Sequence, residues 1–141
     1  MKLKTDGIIS EPDLTALARE FEQEAKCLLE GGLYTAAVYL GGYAIECWLK
    51  VAICRSLRQP GLSELFKSHD LGGLLYYSGF QQDLDSDATL RSAFDGIVGA
   101  WNDKHGNPAK RYGSRSKETR SDAEVFLTHV DEVREWLIAR L

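Results

Sequence analysis

Proline occurs only three times in this chain, at positions 12, 60 and 108, so long windows are free of the residue that interrupts helices. Cysteine is as scarce. Cys27, Cys47 and Cys54 are odd in number and form no Cys-x-x-Cys pair or Cys/His cluster, which excludes the ligand spacing of a zinc site; no metal or cofactor is expected. The last two lie on one expected helix, about 10 Å apart along its axis and too far to bridge. The cysteines read as buried thiols. No stretch approaches the ~20 apolar residues of a membrane span, and the opening MKLKTDGIISEP has two lysines but no apolar run of secretory type. The expected location is the cytoplasm, with no membrane contact. Val, Ile and Thr never alternate over a run long enough to suggest strands, and there is no internal repeat or low-complexity segment.

What is present fits one folded domain: 141 residues, 44% hydrophobic and 27% charged, with residues 1–12 as an N-terminal segment and 13–141 as the body. The net charge of −4 argues against a protein that coats nucleic acid over its whole surface. Its distribution is uneven. Between Asn102 and Arg120, the six cations Lys104, Lys110, Arg111, Arg115, Lys117 and Arg120 face only Asp103 and Glu118. One basic patch on an acidic body, or a solvated basic loop, is the expectation.

Helix signals recur along the chain. Ser10-Glu11-Pro12-Asp13 marks a helix start with Ser10 as N-cap, and Leu14, Leu17, Phe21, Ala25 and Leu28 form its apolar stripe to about Glu30. Gly31-Gly32 is a turn signal, after which a second helix runs to about Leu57. A short turn of helix within 62–67, a short helix from Asp70 to about Tyr77 ended by Gly79, and a polar connection over Gln81–Asp87 follow. The next helix carries Leu90, Phe94, Ile97, Val98 and Trp101. A last one, with capping-box spacing in Ser121-Asp122-Ala123-Glu124, buries Ala123, Phe126, Val130, Val133 and Leu137. The sum is an all-α, up-and-down bundle of four main helices plus a short additional helix.

The second helix has two differently built stripes. Ala37, Leu40, Ala44, Cys47, Val51 and Cys54 recur at three- and four-residue spacing and form a face to bury. Tyr39, Tyr43, Glu46 and Lys50 form the other. Glu46 and Lys50 read as a solvated i,i+4 pair, unless the two phenols beside them mean that this face meets something. Gly41 and Gly42 each cost about 1 kcal/mol of helix propensity relative to Ala, which asks for a reason such as close helix approach.

Tyr34, Ala37, Tyr39, Gly42-Tyr43-Ala44, Glu46 and Leu49-Lys50, then His69-Asp70-Leu71, then Trp101 and Arg111-Tyr112 before a capped final helix, together resemble the HEPN domain family in its short, single-domain prokaryotic form. The resemblance implies a bundle that commonly forms a homodimer, works beside a minimal nucleotidyltransferase in a toxin–antitoxin or defence pair, and binds nucleotide or RNA. Many members are metal-independent ribonucleases marked by Arg, four to six residues, then His. This chain departs from that pattern, since ten residues separate Arg58 from His69, thirteen Arg91 from His105 and eight Arg120 from His129. Catalysis is therefore not required by the resemblance, and a binding module is the preferred reading. A divergent ribonuclease and a purely structural interaction protein are the alternatives.

Site candidates follow from chemistry. His69 beside Asp70 at a helix start reads either as a cap with a packing histidine or as a phosphate donor or base, since imidazole exchanges protons near neutrality. His105, in the polar loop after Trp101, is the second candidate base. Lys104, Lys110 and Arg111 are suited to grip a phosphate while Tyr112 or Trp101 stacks on a base. The competing view puts Trp101 in the core and pairs Arg111 with a carboxylate such as Glu46. Tyr43, Glu46 and Lys50 complete the ligand-binding candidates. His129, beside the apolar stripe of the last helix, reads as structural or surface.

Overall fold

The computed structural model describes residues 9–109 and 118–141. Helix α1 (Glu11–Glu30) starts at the expected cap: the Ser10 hydroxyl accepts the Asp13 N–H at 3.2 Å, and Pro12 lies in the first turn, where an intrahelical donor is not needed. Gly31 and Gly32, the latter at φ +79°, lead into α2 (Tyr34–Ser56). A 3₁₀ turn (Glu64–Phe66) precedes α3 (Leu71–Ser78), which Gly79 ends in the left-handed conformation at φ +83°. Helix α5 (Ala88–Trp101) is capped by Asp87, whose carboxylate accepts the Thr89 and Leu90 N–H groups at 3.1 Å. Helix α6 (Arg120–Ile138) closes the bundle.

Two local expectations are corrected. The polar connection contains a further short helix, α4 (Gln81–Asp85), anchored by the fully buried Leu84. The final helix is capped two residues earlier than Ser121. Thr119 Oγ1 accepts the Asp122 N–H at 3.1 Å and the Asp122 carboxylate accepts the Thr119 N–H at 3.0 Å, a full capping box with the same spacing and an acid in the reciprocal position. Among the described residues the secondary structure is helical, with four long helices and the shorter α3 and α4, and no strand.

Helix α2 is the axis of the bundle and packs against α1, α3, α5 and α6. From Ala44 to Cys54 every residue is buried, so the two-stripe reading gives way to a helix enclosed on all sides. Contrary to the expectation that no stretch approaches a membrane span, its length and apolarity suffice on paper to cross one, but 83% of its most apolar window is buried inside the protein, as in a central core helix. Cys47 and Cys54 are buried with it. Cys27, on α1 but outside its apolar stripe, is exposed, contrary to expectation.

The paired glycines have a steric cause. A Cβ on Gly41 would lie 2.7 Å from Leu127 Cδ2 of α6, and one on Gly42 would lie 2.1 Å from Trp101 Nε1 of α5. Their absence lets both helices approach the α2 backbone. His129 is half-buried on α6, with Nδ1 3.9 Å from Glu132 and its ring against Gly96, a structural position.

Candidate functional site

The second stripe of α2 points at the loop before α3. Glu46 is 5% and Lys50 8% exposed, so they are not a solvated pair. Lys50 Nζ donates to Glu46 Oε2 at 3.0 Å, and the other carboxylate oxygen, Oε1, lies 2.5 Å from Nδ1 of His69. Two charges taken out of water are stable only when both are paired and hydrogen-bonded, and this arrangement occupies both carboxylate oxygens. With Glu46 ionised and paired to Lys50, the contact is a hydrogen bond donated by Nδ1–H, and Nε2 is the ring nitrogen left to meet a ligand. The imidazole is itself one-third exposed, at 36% of its side chain.

Aromatic rings wall this group in. The Tyr43 ring stands edge-on to His69 (centroids 5.8 Å apart) and to Trp101 (5.1 Å), and its hydroxyl is 3.2 Å from that of Tyr39. Trp101 is fully buried and donates Nε1–H to the Tyr39 carbonyl at 2.9 Å. It is a core residue, as the competing view has it, and is not available to stack on a base. Glu46 is paired with Lys50 and His69; the expected pairing of Arg111 with a carboxylate lies outside the described residues.

The loop after α5 lies against the same place. Asn102 Nδ2 donates to the carbonyls of His69 (2.9 Å) and Gly106 (3.1 Å), and its Oδ1 accepts the Leu71 N–H at 3.1 Å. Asp103 shapes the turn by accepting the N–H groups of His105 (2.8 Å) and Asn107 (3.0 Å); these bonds hold its carboxyl below the ordinary range, that from Asn107 contributing most. Lys104 and His105 are exposed on this turn. Asp70 is the residue before α3, with its carboxylate over Gly73 but without a capping hydrogen bond from its side chain, and Gly106 is packed against it. Lys110, Arg111 and Tyr112 lie outside the described residues.

Burial acts on one more group here. Cys47, next to Glu46 on α2, has its thiol pushed up to about 12, first by loss of water and then by the Glu46 charge, with Lys50 opposing. It is an inert core thiol. Of the residues put forward from the sequence, Tyr43, Glu46, Lys50 and His69 come together directly, and Asp70, Lys104 and His105 join through the Asn102 loop. Asn102 itself went unnoticed as a site residue, because nothing local marks an asparagine that bonds a backbone 33 positions away.

A helical bundle with a buried carboxylate on its central helix, supporting a partly exposed histidine at the start of a short helix, defines a class of small helical module with a polar site on one side. This chain belongs to the HEPN domain family, whose model matches residues 12–141. Neither a curated protein nor a solved structure matches it.

Proposed function

We propose that this chain is a HEPN-family module that binds the phosphate of a nucleotide or of RNA through His69 and the loop beyond Asn102, acts in the cytoplasm as a homodimer, and partners a minimal nucleotidyltransferase in a toxin–antitoxin or defence pair. The observation that carries the binding site is the 2.5 Å contact of His69 Nδ1 with Glu46 Oε1. Because Lys50 offsets the charge of Glu46, a protonated His69 adds positive charge to the surface without a free acid behind it. Lys104 adds another from the adjoining turn, and the sequence continues with Lys110, Arg111, Arg115 and Lys117. An exposed aromatic pair on α3, Tyr76 and Tyr77, supports the view that the module meets a protein surface.

The same contact favours a second reading, a metal-independent ribonuclease with His69 as base. A carboxylate that holds Nδ1–H orients the ring and stabilises the imidazolium formed when Nε2 takes a proton, here from a 2′-hydroxyl. Lys104 or Arg111 would steady the phosphate.

Labelled single-stranded RNA incubated with the protein in the absence of metal separates the readings. Binding that weakens as salt rises, with intact RNA and a loss in His69→Ala and Arg111→Ala, is the expected result. Cleavage lost in His69→Ala would move the second reading to first place. Neither binding nor cleavage at low salt would leave an interaction protein.

A further inference from the structure

We propose that Asn102 is a positioning residue that locks His69 and the turn over residues 103–109 into one unit. The inference rests on the reading of His69 as the phosphate-contacting group. Asn102 follows Trp101, which is fully buried, and its own N–H donates to the Val98 carbonyl at 2.9 Å, so its backbone is anchored in the bundle. Its side chain then serves three groups in two separate segments: the His69 carbonyl, the first N–H of α3 at Leu71, and the Gly106 carbonyl. Serving two acceptors and one donor at once needs an NH₂ and a carbonyl on one short planar group. Serine has one donor, aspartate none.

The turn is held from its other end as well. Ala109 N–H donates to the Trp101 carbonyl at 2.6 Å, and Gly106, at φ +76°, sits so close to Asp70 that a Cβ there would lie 2.8 Å from the Asp70 Cβ. Lys104 and His105 are thereby carried on the same rigid piece as the His69 backbone. Asn102 supplies the side-chain hydrogen bonds that tie the His69 backbone to the turn carrying Lys104 and His105.

Asn102→Asp tests this, because aspartate keeps the acceptor for Leu71 N–H and suits a helix start, yet cannot donate to either carbonyl. A residue that merely caps α3 would tolerate it. The expected result, in ligand-free protein, is a shift of the His69 imidazole resonances and faster exchange of the His105 and Asn107 amides by NMR. A single-stranded oligonucleotide should bind about tenfold more weakly, the scale of one lost net hydrogen bond. Gly106→Ala provides a second variant that leaves Asn102 in place: it pushes the turn off Asp70 and should also shift His69 if turn and histidine are one unit. His69 resonances unchanged in both variants, or in Gly106→Ala alone should Asn102→Asp not fold, would overturn the proposal. Should the wild type bind no oligonucleotide while His69 still responds to both variants, the positioning role stands and the phosphate-binding reading fails.

Discussion

His69 Nδ1 stands 2.5 Å from Glu46 Oε1, so a partly exposed imidazole is held by a carboxylate that lies in the core. The carboxylate is held in turn by Lys50, and each member of the chain needs the next.

Removing one member should therefore cost more than removing two. Glu46→Leu leaves a buried, uncompensated ammonium and is expected to destabilise by about 3–5 kcal/mol. Glu46→Leu with Lys50→Met replaces the pair by apolar groups and should recover much of that loss. Urea unfolding of wild type, single and double variants reads the difference; a double variant as unstable as the sum of the singles would show that the two charges are not coupled.

Glycine substitutions should differ in sign. Gly42→Ala drives a methyl into the Trp101 indole and is expected to cost about 1–3 kcal/mol or more, as overpacking does. Gly99, in α5, has nothing within 4 Å of an added Cβ, so Gly99→Ala should stabilise by about 0.5–1 kcal/mol through helix propensity. Paired thermal melts check both signs.

Thiol labelling should count the burial. With Cys27 exposed and Cys47 and Cys54 buried, a disulfide reagent at neutral pH is expected to react with one thiol per chain in native protein and with all three in denaturant. Fast native reaction at Cys47, identified by peptide mapping, would contradict its enclosed position.

Alkali should weaken the fold through the same residue. The Cys47 thiol is raised from 9.0 to about 12 in the folded chain, so the unfolded form releases its proton first. Its contribution is intact below pH 9 and is lost as pH rises from 9 towards 12. Cys47→Ala should flatten that part of the stability profile measured by urea unfolding.

Acid should act on the turn beyond Asn102. The Asp103 carboxyl is lowered by the N–H groups it accepts, so the stabilisation it gives is present above its ordinary value of 3.8 and lost as pH falls through its lower folded value. The protection of the His105 and Asn107 amides, measured relative to their intrinsic exchange rates at each pH, is expected to fall on acidification. In Asp103→Asn, which keeps an uncharged acceptor, that pH dependence should disappear.

Much of this fold was legible locally. The Ser10 cap, the glycine turn before α2 and the stripe of α6 depend on neighbours within a few residues, and those signals survive folding unchanged. The cap of α6 was misplaced because two overlapping capping-box spacings compete there, and only the hydrogen bonds of Thr119 and Asp122 decide between them. The close approach suspected from Gly41 and Gly42 was right in kind, but its partners, Leu127 and Trp101, belong to helices far along the chain.

By itself the sequence determined a helical bundle of the HEPN kind, since helix periodicity, caps and the pattern from Tyr34 to Leu71 are properties of short segments. Only the tertiary structure decided that Glu46 and Lys50 leave the solvent, that Trp101 is core, and that Asn102 joins His69 to the following turn. The reason is physical: an i,i+4 ion pair looks the same on paper whether water or another segment covers it. Among what closes over Glu46 is His69, 23 residues further along the chain.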